Sequence, residues 1–137
     1  IPNLRDKFGT KPVHSLEEIN LLHSRFPTQL LQANAYVNDE IAAGVTLMDF
    51  NDTIHCQYIS STDHGRDCGA IDFLFNNLIN LYRPTKKYFS LGTANNEGND
   101  INFGLTEWKE GWGGKIHAHF YYKFKTENSS NLVRFIQ

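Results

Sequence analysis

The chain is poor in cysteine. Its 137 residues hold only two, Cys56 and Cys68, with no Cys-x-x-Cys spacing, which argues against both a disulfide framework and a zinc ribbon. It also lacks an excess of either charge: 13 Lys and Arg face 15 Asp and Glu, for a net of −2. A general binder of nucleic acid or anionic membrane shows a basic excess, so that class is disfavoured. No run approaches the roughly 18 apolar residues that span a bilayer, and no charged-then-apolar leader opens the chain. A reducing cytoplasm is therefore the expected compartment. Low-complexity tracts and internal repeats are absent as well. The chain opens Ile1-Pro2 without an initiator Met, and we expect it to be the C-terminal part of a longer protein with a domain upstream.

What is present suits one ordinary folded domain over residues 1–137. Hydrophobic residues make up 40% and charged residues 20%, outside the range of disordered or fibrous chains. At this length folding buries roughly 68% of the extended-chain surface, enough for a core without covalent staples.

Ser15-Leu16-Glu17-Glu18 reads as a capping box that opens a helix through Ile19, Leu22 and His23, ended by Pro27. The first fourteen residues have room for a helical turn of their own. From Leu30 the hydrophobic period becomes two. Leu30–Val37, the turn Asn38-Asp39-Glu40 and Ile41–Phe50 predict a hairpin, and a turn at Asn51-Asp52 leads to a third strand, Thr53–Ser60. A polar loop, Ser60–Asp67, precedes the run Gly69–Tyr82, where Ile71, Leu74, Phe75, Leu78, Ile79 and Tyr82 recur at helical spacing until Pro84. A short strand at Lys87–Gly92, a loop at Thr93–Asn99 and a helix at Asp100–Trp112 follow. Closing strands are predicted at Ile116–Phe124 and Leu132–Ile136, with a turn at Thr126–Asn131. The order predicts an α+β domain, a mostly antiparallel sheet with helices on its faces.

The most suggestive chemistry lies where the third strand meets the central helix, from Ser60 to Ala70. Backbone amides at a helix start, Gly65 and Gly69 for close approach, and the fixed charge of Arg66 suit an anion such as a pyrophosphate. The bland alternative is an ordinary capped loop. His117 and His119 share a predicted strand face, but a zinc centre needs about three or four ligands and no others show matching spacing; no metal is expected. Ser60, Asp63, His64 and Cys68 lie close in sequence without a nucleophile elbow, and Cys68 reads as a packing residue. Glu97 and Glu107 are candidate bases, and Tyr58, Tyr88, Tyr121 and Tyr122 candidate acids. The Trp, Phe and Tyr cluster from Trp108 to Phe124, interleaved with lysines, has the look of a nucleobase platform, but the core reading of those rings is preferred.

Several phrases, in order along nearly the whole chain, resemble the GNAT superfamily of N-acyltransferases and, within it, the Fem-type aminoacyltransferases of peptidoglycan bridges. They are Pro12-Val13-His14-Ser15-Leu16-Glu17-Glu18 with Arg25-Phe26-Pro27, Ala42-Ala43-Gly44-Val45, Gly69-Ala70-Ile71-Asp72-Phe73-Leu74, Tyr88-Phe89-Ser90-Leu91-Gly92-Thr93, and Asn102-Phe103-Gly104-Leu105 running on to Trp108-Lys109-Glu110-Gly111-Trp112-Gly113-Gly114. The resemblance implies a mixed sheet splayed between Thr53–Ser60 and Lys87–Gly92, with the family's first strand missing, so that Leu30–Val37 forms an edge that is open or covered by a neighbour. It implies acetyl-CoA or another acyl-CoA in the opening, held at Ile59, Ser60, Arg66, Asp67, Cys68, Gly69 and Ala70. An amine acceptor would attack directly, with Glu97 or water as base and Tyr58 as a further catalytic candidate; tRNA would enter only as an aminoacyl donor. The superfamily's loop reads Arg or Gln, two residues, Gly, one residue, then Gly or Ala, and here Ile71 stands at that last position. This partial motif favours the alternative, a non-catalytic supporting domain. Occlusion of the opening by Tyr58, Phe89 or Trp112 would mark that alternative.

Overall fold

The computed structural model describes residues 14–95 and 100–123. The expected turn before His14, Glu97 in its loop, Phe124, the turn at 126–131 and the strand at 132–136 lie outside the described residues. Helix α1 (Leu16–Arg25) starts at the expected capping box: Ser15 Oγ accepts from Glu18 N at 3.2 Å, and Glu18 Oε2 accepts from Ser15 N at 2.7 Å. Strands β1 (Leu30–Val37) and β2 (Glu40–Phe50) form the hairpin, turning on Asn38 and Asp39 at φ of 50° and 64°. Two left-handed residues give the turn whose twist matches a hairpin, and Asn and Asp tolerate it. Strand β3 (Thr53–Ser61) pairs antiparallel with β2.

The Ser60–Asp67 stretch departs from the loop expected there, because residues Asp63–Asp67 form a short helix, α2. Thr62 Oγ1 caps it by accepting from Gly65 N at 2.9 Å, a Thr N-cap signal that composition alone conceals. Gly65 is buried against β2, and a Cβ there would collide with Ala42 O. Helix α3 (Ala70–Tyr82) follows, and strand β4 (Tyr88–Ser90) then pairs parallel with β3. Helix α4 (Phe103–Gly111) begins later than the periodicity predicts. Asn102 caps it, its Oδ1 accepting from Leu105 N at 3.0 Å, while Ile101 instead bridges to Asn95.

The sheet order is β1-β2-β3-β4, three antiparallel strands and one parallel. Among the described residues β1 is its outer strand on that side. Helix α3 packs across β1, β2 and β3, burying Leu74, Phe75 and Leu78 against Val45, Leu47 and Ile54. The opposite face meets α1, where Tyr58 Oη lies 2.7 Å from Nδ1 of His14. Helices thus lie on both faces, α3 as a packed layer and α1 without burying a residue of its own.

Past α4 the expectation of a strand from Ile116 fails. Gly113 turns at φ 77°, residues 114–123 are irregular, and Ile116, Phe120, Tyr121 and Tyr122 are each more than two-thirds exposed. Alternation specifies a strand only where a ladder partner and a covering layer exist, and residues 116–123 pair with no described strand. His117 and His119 are exposed on this segment rather than side by side on a sheet.

Candidate acyl-donor cleft

Strands β3 and β4 pair through only Thr53↔Tyr88, Ile54↔Phe89 and His55↔Ser90. The start of β4 is anchored, since the amides of Lys87 and Tyr88 both donate to Asp52 O, at 2.8 and 3.0 Å. Beyond His55 the strands part for two local reasons. Cys56 opposes Leu47 and Tyr58 opposes Thr46, so Gln57 is an extra residue, a bulge that bends β3. On the other strand Gly92 sits at φ 71°, and a Cβ there would lie 3.1 Å from Cys56 O. Such a turn against a neighbouring backbone favours glycine.

The parting leaves a cleft of about 540 Å³. Its walls are Cys56, Gln57, Ile59 and Ser61 from β3, Leu91, Gly92 and Thr93 after β4, and Leu105, Trp108 and Lys109 from α4. Its walls also include Gly65 and Arg66 of α2, then Gly69, Ile71 and Asp72 at the start of α3. Tyr58, Phe89 and Trp112 are not in its walls. The Phe89 and Trp112 rings instead pack on Phe75, each 6.1 Å from it, in the core. The opening is therefore not plugged by the three side chains that would have closed it.

Where it meets the cleft, α3 has no side-chain cap. Gly69 holds φ 68°, ψ 29°, and the first bond into the helix runs from Phe73 N to Gly69 O at 3.0 Å. The amides of Ala70, Ile71 and Asp72 are left without helix partners, at the positive end of the dipole. Upstream, Gly65, Arg66, Cys68 and Gly69 already donate their amides within the α2 turn. The unpaired donors thus narrow from the whole loop to the first turn of α3. Arg66 lines the cleft, but its guanidinium is shared with the Asp63 carboxylate and with Ser61 O at 3.2 Å.

The expected site residues scatter about this geometry. Ile59, Arg66 and Gly69 line the cleft, and Ser60 lies between lining residues on the β3 edge. Ala70 is buried beneath α3, while Asp67 and Cys68 are exposed on the far side of the α2 turn. Cys68 is accordingly no packing residue: it ends α2, its Sγ 3.6 Å from Gly65 O and otherwise facing solvent. Tyr58 points to the α1 face with its hydroxyl held by His14.

Sequence reasoning missed Lys109, which is only 9% exposed. Its Nζ donates to Thr93 O at 2.6 Å and Gly92 O at 3.1 Å, and burial holds its pKa below the usual lysine range. A signal existed, because Lys109 follows Leu105 by four residues and so shares the buried helix face. Neighbouring groups feel the same dry surroundings. Burial pushes the Cys56 thiol up to about 12. It also lowers the pKa of His55, whose Nδ1 lies 2.9 Å from Ser90 Oγ at the last rung of the β3–β4 ladder. Among the described residues no group of three or more His, Cys, Asp and Glu is placed to hold a metal ion, and no helix is long and apolar enough to cross a membrane.

No protein-family model and no curated protein matches the chain. Solved structures do. An aminoglycoside acetyltransferase from an uncultured soil metagenomic sample, crystallised with sisomicin, superposes with a TM-score of 0.61 at 12% identity over 90% of this chain and 85% of that one. A ribosomal-protein-alanine N-acetyltransferase from Brucella melitensis gives 0.62 at 11% identity, covering 90% and 88%. A Trypanosoma brucei acetyltransferase gives 0.57 at 15%, covering 90% and 89%. The fold is that of the GNAT acetyltransferases. At these identities the likeness is one of architecture, and within the GNAT fold the parting of β3 and β4 is the splay that the sequence resemblance implied.

Proposed function

We propose that this chain is an N-acyltransferase domain that moves an acyl group from acyl-CoA to an amine. The observation that carries the reading is the unplugged cleft between β3 and β4, which runs from a free strand edge to the uncapped amides of α3. Those features fit the donor's parts. A strand edge without a ladder partner offers alternate amides and carbonyls to an amide-containing arm, and a bare helix start suits a pyrophosphate. Asp72 in the same wall opposes the anion, and Arg66 shares its charge with Asp63, so the backbone amides supply the main attraction.

Bound acyl-CoA supplies an activated thioester. The acceptor's nitrogen lone pair forms the C–N bond as the C–S bond breaks, the electron pair leaving on sulfur and the amine's proton passing to water or Glu97. Backbone amides about Ile59 and Ser60 polarise the carbonyl. No covalent enzyme intermediate is needed. Tyr58 is available as an acid only from the α1 face, where His14 holds its hydroxyl.

Aminoacyl-tRNA, the donor implied by the Fem-type resemblance, needs a basic surface, and a net charge of −2 gives this chain no overall basic excess. Titration calorimetry with acetyl-CoA and with CoA tests the reading. Micromolar binding of both supports it; a folded chain that binds neither overturns CoA as donor and favours the supporting-domain alternative.

A further inference from the structure

Lys109 is the one buried charged side chain among the described residues. Its two acceptors, Gly92 O and Thr93 O, are neutral carbonyls. An ammonium carries three donors, and the third has no acceptor among the described residues. No described carboxylate neutralises it, because the ion pairs there are Arg66 with Asp63 and Lys86 with Asp49. Nor does Cys56 serve as the anion, since with a pKa of about 12 its thiol stays protonated at neutral pH. Asp72, the carboxylate in the cleft wall, sits at the first turn of α3 with Trp108 Nε1 3.4 Å from its Oδ1. A buried cation with no counter-anion among the described residues is costly to keep, and a ligand that brings the anion lowers that cost.

Position says which part of a ligand that is. Lys109 is bound to Gly92 and Thr93, just past the last β3–β4 rung at His55↔Ser90 and where Gly92 approaches Cys56 O, whereas the bare amides of α3 follow the far end of β3 at Ser61. A donor seated with its phosphates on α3 and its arm along the β3 edge therefore ends, at its acyl group, beside Lys109.

We propose that Lys109 is a specificity-determining residue that selects an acyl-CoA whose short acyl group ends in a carboxylate, of the malonyl or succinyl kind. This rests on the acyltransferase reading of the same cleft. The carboxylate accepts the free N–H of the ammonium, while the thioester stays at the β3 edge.

The test is titration calorimetry of the full chain with CoA, acetyl-CoA, malonyl-CoA and succinyl-CoA, on the wild type and on Lys109→Met. One carboxylated donor should bind at least about tenfold tighter than acetyl-CoA, as expected for a charge-assisted hydrogen bond in a dry site. In Lys109→Met that preference should shrink to within about twofold, with CoA itself still bound. Equal wild-type affinity for acetyl-CoA and both carboxylated donors overturns this inference and leaves the acyltransferase reading standing. A preference that survives in Lys109→Met likewise overturns it. Failure of all four ligands to bind sinks both readings. Should Lys109→Met not fold, the wild-type comparison among the four ligands still decides.

Discussion

Substituting Gly69 isolates the charge at the start of α3. The residue holds φ 68°, and no atom lies within 4 Å of where a Cβ would stand. Asp and Asn are the side chains that tolerate this conformation best, so Gly69→Asp and Gly69→Asn should both fold and differ by one charge. A carboxylate beside a helix start favours the helix by about 0.3–1 kcal/mol, so Gly69→Asp should be at least as stable as Gly69→Asn. Binding should go the other way. A phosphate on the amides of Ala70, Ile71 and Asp72 would lie about 6 Å from that carboxylate, where two unit charges at an effective dielectric of about 20 repel by about 2.8 kcal/mol. Gly69 is partly open to solvent, and screening reduces this to about tenfold in affinity. Titration with CoA reads the difference, and pantetheine, which lacks the pyrophosphate, should bind both variants alike. CoA affinities of the two variants within about twofold of each other would refute a pyrophosphate seat at α3.

Phe75 is fully buried and its ring meets Phe89, Trp108 and Trp112 at 6.1, 5.2 and 6.1 Å. Phe75→Ala should cost about 3–5 kcal/mol in urea unfolding, and a loss under about 1 kcal/mol would contradict that packing. The two cysteines should separate cleanly. Exposed Cys68 reacts with Ellman's reagent in the folded protein and buried Cys56 only after denaturant is added; rapid reaction of both in native buffer would refute the burial of Cys56. His55 has its pKa depressed by burial, so the unfolded chain takes up a proton that the folded one resists. Stability is then fully present above about pH 6.5, the free imidazole value, and is lost as pH falls through the lower folded value. Urea midpoints of the wild type should decline across that window more than those of His55→Gln, and parallel declines would remove His55 as the cause.

The legible parts of the sequence were those in which a local signal and its tertiary use agree. The capping box at Ser15, the Asn38-Asp39 turn and the apolar spacing of α3 each name their own conformation, and all three appear as expected. The strand expected from Ile116 does not appear over residues 116–123 because alternation alone does not make a strand: pairing is a property of two segments, and among the described residues none pairs with this one. Thr62 and Asn102 were readable caps masked by their polar neighbours. The bulge at Gln57 was illegible, since it exists only as a register difference between β2 and β3. Lys109 was passed over because lysine is so seldom buried, although its spacing from Leu105 placed it inward.

The opening itself has a cost that constrains its use. Strand β3 runs nine residues, but β4 accompanies it for only three, so the later part of β3 presents a bare edge inside the sheet. Backbone groups near a core need partners, and a bare edge invites unwanted pairing. On the opposite side the chain supplies partners: Lys109 reaches across to the carbonyls of Gly92 and Thr93. On the β3 side the Arg66 guanidinium reaches Ser61 O at 3.2 Å, and the cleft lies along the residues before it. The bulge at Gln57, the left-handed turn at Gly92 and the ammonium of Lys109 all act to keep the strands apart. Three separate features opposing closure point to a ligand that completes the β3 ladder, and an extended chain of amides ending in an anion-bearing head at α3 meets that need.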